Sequence, residues 1–345
     1  MLVLILAGVL WGIGVALKTP VRTRLYMIAA LWVAVVLGHL VLPLGHPLRA
    51  ATGGDARGWL ALGVLALAVA GYRVVLARLR GRVVPLAPEA PPRSGFREAE
   101  LNRYARHIML REVGGMGQKK LKDSRVLVVG AGGLGAPVLM YLAGAGVGTI
   151  GVIDDDVVEG SNLQRQIIHT DARIGMPKVF SAEMAMRALN PFVEVRPYNR
   201  RLTEDVATGL LEEFDLILDG SDSFDTRYLV NRAAVVAGKP LISGAITQWE
   251  GQVSLFHPAG GGPCYACVFP TRPAPGMVPT CAEAGVIASL PGVIGAMMAT
   301  EALKHLTGAG EGLRGRLMIH DALFAETRVI AAARRDGCEV CGAKP

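Results

Sequence analysis

Acidic side chains are almost missing from the first quarter of this 345-residue chain: before Glu89 the sole carboxylate is Asp55. Cysteine is scarce too, five in all, which excludes a small disulfide-stapled scaffold. Aromatic residues make up only 6% of the chain, and nowhere are they interleaved with arginines, so the net charge of +7 does not mark a nucleic-acid face. No internal repeat is visible, which removes solenoids and propellers. His39, His46, His169, His257, His305 and His320 show no metal-ligand spacing. No serine–histidine–acid constellation points to a hydrolase.

What fills the charge-poor quarter is apolar. Three runs, Leu2–Leu17, Leu25–Leu42 and Trp59–Leu76, each approach the ~20 residues that cross a bilayer core. They predict a membrane region over 1–81 with three transmembrane helices. Lys18, Arg22 and Arg24 follow the first run, and Arg78, Arg80 and Arg82 follow the third. The positive-inside rule then puts the N-terminus outside and everything after Arg78 in the cytoplasm, at the inner membrane. A signal peptide is the competing reading of the first run, but it lacks a charged start and a small-residue cleavage site. Buried helices of a soluble domain are another. Residues 82–95 form a proline-rich linker, and 96–345 is long enough to bury a sizeable core.

Within 96–345, strands and helices alternate. Strands are expected at Val126–Val129, Ile150–Ile153, Val193–Pro197, Asp215–Asp219 and Pro240–Ser243, separated by helices such as Ala136–Ala145, Lys178–Leu189 and Asp225–Ala237. That order predicts an α/β fold with a doubly wound, Rossmann-like, mostly parallel sheet. After Ser243 the rhythm changes. Gly251–His257 and Gly315–Ala322 alternate like antiparallel strands, giving a mixed C-terminal part around a proline-rich loop, Phe269–Pro279, and a helix over Gly292–Leu306.

The chemistry concentrates between Val126 and Lys178. The first strand runs into Gly130-Ala-Gly132-Gly133-Leu-Gly135, and the second ends in Asp154-Asp155-Asp156. Glycines at a strand-to-helix turn let the backbone approach a phosphate, and an acid about 20 residues on takes ribose hydroxyls. Asp155 and Asp156 are expected to face solvent or cap a turn. Asn162, Arg165 and Lys178 then add a polar, cationic cluster that hydride transfer does not need and a triphosphate being split does. Asp222 follows the fourth strand at its carboxyl end, where a carboxylate suits Mg²⁺ bridging phosphates. Cys264-Tyr-Ala-Cys267 and Cys338-Glu-Val-Cys341 form two C-x-x-C pairs, a tetrahedral Zn²⁺ pattern. Cys281, alone in the proline-rich loop, reads either as a buried small side chain or as a reactive thiol.

Taken together, Arg103-Tyr-Ala-Arg106-His, the glycine loop, Ser161-Asn-Leu-Gln-Arg-Gln166, Gly175-Met-Pro-Lys178, Glu250-Gly-Gln-Val and the two cysteine pairs resemble the MoeB/ThiF/HesA group, bacterial relatives of ubiquitin-activating enzymes. The resemblance covers about Arg103 to Cys341 and leaves out the apolar runs. It implies Mg-ATP-dependent adenylation of the C-terminal glycine of a ubiquitin-like sulfur carrier of the MoaD or ThiS kind, by a homodimer, in molybdopterin- or thiamine-type sulfur transfer. By the same resemblance Gly133 lines the nucleotide pocket, Asp154 holds the ribose, Asn162, Arg165 and Lys178 contact phosphates, and Asp222 serves the magnesium. Arg106 would reach the phosphates of the neighbouring protomer, and Cys281 matches a crossover-loop cysteine that in some relatives bonds to the carrier. The family commonly has Asp-Asn where this chain has Asp222-Ser223. No sulfurtransferase segment follows Cys341, so a separate sulfur donor is expected. The competing readings are activation of another carboxylate (a peptide tail or a modified tRNA base), a non-catalytic membrane scaffold for a carrier, and a nicotinamide or flavin oxidoreductase.

Overall fold

The computed structural model describes residues 2–53, 55–82, 95–273 and 284–342. The chain divides into two compact units, residues 1–91 and 92–345.

The N-terminal unit is helical: α1 (Leu2–Ala16), α2 (Val21–Val41), α3 (Pro47–Thr52) and α4 (Ala56–Arg82). Of the three expected spanning helices, two have the needed length and apolarity, Val21–Val41 and the Ala56–Val75 part of α4. The first run falls short. Lys18, in the left-handed region at φ 53°, and Pro20 end α1 after 15 residues. At 1.5 Å per residue that is about 22 Å, less than a hydrocarbon core.

The second unit begins with α5 (Glu98–Ile108) and α6 (Gly114–Asp123), then β1 (Arg125–Val129), α7 (Gly135–Ala145), β2 (Thr149–Ile153), α8 (Lys178–Leu189), β3 (Glu194–Tyr198), α9 (Glu204–Glu212), β4 (Leu216–Asp219), α10 (Phe224–Val236) and β5 (Leu241–Ile246). It continues with β6 (Glu250–Phe256), the single turn α11 (Tyr265–Val268), α12 (Leu290–Thr307), β7 (Arg316–Asp321) and β8 (Glu326–Ala331). The eight strands make one sheet in the order β3-β2-β1-β4-β5-β6-β7-β8. β3 to β5 pair in parallel, whereas β5–β6, β6–β7 and β7–β8 are antiparallel. The α/β class and the mixed C-terminal part match the alternation in the sequence; the edge strand β8 does not announce itself there, because all six of its residues are exposed.

The parallel strands are near-continuous aliphatic runs because helices cover both faces. One core gathers Val126, Val128, Leu139, Ile150 and Met186 with Ile294 and Met298 of α12. The other, on the opposite face, gathers Leu127, Phe214 and Ile217 with the four pair-forming cysteines. Chain direction reverses between β1, which leads outward to β2 and β3, and β4, which leads the other way. Open α/β sheets bind ligands at that switch point, outside the carboxyl ends of the strands.

Candidate active site

The loops after β1 and β4 meet at the switch point. Gly130 sits at φ 95°, and a Cβ there would come within 3.3 Å of the Gly220 backbone. Gly135 is tighter still: a Cβ would lie 1.9 Å from the Gly130 carbonyl oxygen, so any side chain would break the turn that starts α7. Gly133 faces Pro291 at the start of α12 and the Arg165 side chain. The loop is therefore compressed against β4 on one side and against Arg165 and α12 on the other.

Asp154, at the end of β2, is mostly buried and ties into this loop. Its Oδ2 accepts from the Ala131 amide at 2.7 Å, and its Oδ1 accepts from the Asp156 amide at 2.9 Å. Burial pushes its pKa above the ordinary carboxylate value, against those two amides and the nearby Lys178 charge. Lys178 is the first residue of α8 and only 5% exposed. A cation buried at a helix N-terminus opposes both desolvation and the macrodipole, so a lysine kept there needs an anionic partner. In this structure the partner is Asp156, whose Oδ2 lies 2.7 Å from Nζ. Asp156 faces solvent as expected, with 67% of its side chain exposed, and pairs with Lys178 besides. The segment is also stitched by backbone bonds: Lys178 N–H donates to the Asp156 carbonyl, and Gly175 N–H to the Val158 carbonyl.

Arg165 stands beside the loop with its guanidinium donating to Asn162 Oδ1 at 2.9 Å. Glycine loop, Asp154, Asn162, Arg165 and Lys178 thus share one edge of the sheet. Asp222 is exposed on the neighbouring loop after β4 and bonds to no side chain or amide among the described residues. Ser223 acts locally as the N-cap of α10, and its Oγ accepts from the Thr226 amide. Arg106 is not brought to this edge by its own chain. It is exposed on α5, which bonds through Arg103 to the Leu189 carbonyl and through Tyr104 to Asn190, at the far end of α8 from Lys178. Twelve helical residues separate those ends, about 18 Å. Cys281 lies outside the described residues.

Two supports carry no signature in the sequence. Arg227 is buried beneath the β4–β5 edge, where its guanidinium lies 3.8 Å from Asp219 Oδ2 and donates to the Gly244 carbonyl at 2.7 Å and to the Ser221 carbonyl. It anchors the loop that carries Asp222. His169, likewise buried, bonds to the glycine loop. Neither has a motif spacing, since each works through contacts the fold alone creates.

Away from this edge, the two cysteine pairs converge. Sγ separations are 3.8 Å for Cys264–Cys267, 3.7 Å for Cys264–Cys338 and 3.4 Å for Cys267–Cys341. A tetrahedral metal with sulfur at ~2.3 Å requires about 3.8 Å between sulfurs, while a disulfide requires ~2.05 Å. All four thiols are free and buried, and their geometry fits a tetrahedral Cys₄ metal site. Burial raises Cys264 and Cys341 above the ordinary thiol value; burial opposes the Cys338 thiolate as well, yet the amides of Cys341 and Val340 bring it down to about 6.

Comparison with known proteins places this architecture. Residues 104–340 match the model of the ThiF family. The chain is 52% identical over 250 residues to the sulfur carrier protein adenylyltransferase of Thermus thermophilus, covering 71% of this chain and 92% of that protein. It is 47% identical over 265 residues to the adenylyltransferase and sulfurtransferase MOCS3 of Bos taurus, covering 76% of this chain but only 58% of that protein. Among solved structures, E. coli MccB with ATP shares the fold at a TM-score of 0.62 and 23% identity, over 70% of this chain and 75% of that one. With the family model spanning most of the second unit and the Thermus relative aligned over nearly its whole length, this chain belongs to the ThiF family.

Proposed function

We propose that this chain uses ATP to adenylate the C-terminal glycine of a ubiquitin-like sulfur carrier protein. The observation that carries the reading is the convergence of the glycine loop, Asp154, Arg165 and the buried Lys178 at the β1/β4 switch point, in a chain whose 52%-identical relative is a sulfur carrier protein adenylyltransferase. In the reaction, a carboxylate oxygen of the carrier attacks the α-phosphorus. A new phosphorus–oxygen bond forms, the bond to the bridging oxygen breaks, and its electron pair leaves with pyrophosphate. No acid–base pair is required, because the nucleophile is already ionised. The protein supplies alignment and fixed positive charge where phosphate charge builds up. Lys178 exchanges Asp156 for a phosphate oxygen, Arg165 and Asn162 hold neighbouring oxygens, and Asp154 takes the ribose. Cys281 is the candidate for a bond to the carrier.

Asp222 would hold Mg²⁺, whose role when bound is to neutralise phosphate charge; a free, exposed carboxylate beside the switch point suits it. The Cys264, Cys267, Cys338 and Cys341 cluster would hold structural Zn²⁺, supported by its sulfur spacing. We further propose a homodimer in which Arg106 serves the neighbouring protomer, and a separate sulfur donor. The division into a membrane region, a linker and an adenylyltransferase domain belongs to the same proposal: Val21–Val41 and Ala56–Val75 cross the inner membrane and the catalytic unit faces the cytoplasm, and two crossings put the N-terminus on the cytoplasmic side too, not outside as three would.

The test is ATP–pyrophosphate exchange by the full chain in detergent, with each ubiquitin-like carrier of the source cell ending in Gly-Gly added singly. Exchange with one carrier identifies reaction and pathway together. Exchange with none, but with a peptide or modified base instead, moves the assignment to that carboxylate. ATP binding without exchange leaves a scaffold.

A further inference from the structure

His169 is 5% exposed and takes no part in the chemistry above, yet both its ring nitrogens are engaged. Nδ1 lies 2.9 Å from Ser181 Oγ on α8, and Nε2 lies 2.9 Å from the Ala131 carbonyl oxygen in the glycine loop. A carbonyl only accepts, so Nε2 carries the proton and Nδ1 accepts from the serine hydroxyl. Ala131 is thereby gripped from both sides, its amide by Asp154 and its carbonyl by His169. The peptide that joins Ala131 to Gly132 is planar, so fixing that carbonyl also fixes the direction of the Gly132 N–H on the other side of the same plane. The Gly132 amide donates to no acceptor among the described residues.

We propose that His169 is a positioning residue: as a neutral Nε2–H donor it aims the Gly132 amide at a nucleotide phosphate and locks the glycine loop to α8, the helix that carries Lys178. The inference rests on the ATP-site reading. Burial is the main cause that holds the ring's pKa below the ordinary imidazole value; the bond to the Ala131 carbonyl and the Asp154 charge oppose it, and Lys178 and Arg173 act with it. Ser181 adds a second hold, since Arg173 donates to its carbonyl at 2.9 Å.

Two near-isosteric variants separate positioning from packing. The amide nitrogen of His169→Gln reaches about as far as Nε2 and still donates to Ala131, whereas His169→Asn reaches only as far as Nδ1 and loses that bond. Titration calorimetry of the full chain in detergent with ATP is expected to give a Kd weakened about five- to tenfold in His169→Asn, the value of one lost hydrogen bond, and nearly unchanged in His169→Gln. Ser181→Ala, which removes no loop contact and folds more safely, should weaken ATP binding two- to threefold by freeing the ring. Equal Kd in all variants, or equal weakening in Asn and Gln alike, overturns the positioning role while leaving the ATP site intact. A wild-type chain that does not bind ATP overturns both.

Discussion

Leu216, at the centre of the sheet, is completely buried, whereas Leu44 and Leu65 in the N-terminal unit present 88% and 63% of their surfaces. The difference is systematic. In the second unit aliphatic side chains fill two cores, and charges such as Lys178 and Asp219 are interior only where a partner holds them. In the first unit the outward side chains are apolar, and a polar group, His39, is buried with its Nε2 bonded to Thr52 Oγ1. Water rewards the first arrangement and hydrocarbon the second. On the membrane reading proposed above, one chain carries two folding solutions, each suited to its own solvent, and the way to sharpen the comparison is to perturb each unit where it depends on that solvent or on its site.

The largest effect is expected at the cysteine cluster, because a structural metal contributes folding free energy outright. Elemental analysis is expected to find one zinc per wild-type chain and none in Cys264→Ser. The second unit should lose on the order of 5 kcal/mol, a fall in Tm of more than ~10 °C, while detergent-solubilised helicity of the first unit persists. Unchanged metal content would remove the zinc assignment. Lys178→Ala comes next. In the proposed mechanism it deletes a positive charge at the reacting phosphates, so pyrophosphate exchange should fall by roughly 10²–10³-fold. Tm should hold, because the partner left behind, Asp156, is 67% exposed and keeps its hydration. Retained exchange would take Lys178 out of the mechanism.

The comparison itself is broken or upheld by Leu65→Arg. On a water-exposed helix face such a change is nearly neutral, within about 0.5 kcal/mol. At the middle of a membrane span it costs about 3 kcal/mol. Loss of the variant from the membrane fraction supports the spanning reading; an unaffected variant ends it.

Much of this is legible in the residues themselves. The α8 boundaries, Lys178–Leu189, coincide with the helix read from spacing, and the glycine loop, Asp154 and both cysteine pairs stand where strand ends and knuckle spacing place them. What stays hidden depends on distant contacts. Arg227 acquires meaning only when β5 lies beside β4, and His169 only when α8 folds back over the glycine loop. Asp156 looks like a surface acid until the chain returns to put Lys178 against it. Hydropathy overstates the length of α1 because it does not register where Lys18 and Pro20 stop a helix.

The smallest effect tests the one departure from the family pattern. Ser223 caps α10 with a long bond of 3.5 Å to the Thr226 amide, and loss of an N-cap typically costs ~1 kcal/mol. Ser223→Ala should therefore lower stability by about that much in chemical denaturation, with exchange reduced only as far as the Asp222 loop loosens. Asparagine caps as well as serine, so Ser223→Asn should leave stability unchanged and isolates what the longer side chain adds at the site. Equal exchange rates for Ser223→Asn and the wild type would mean that this position serves the helix alone. Faster exchange at unchanged stability would mean that the amide reaches the nucleotide, and that this chain gave up a ligand contact while keeping the cap.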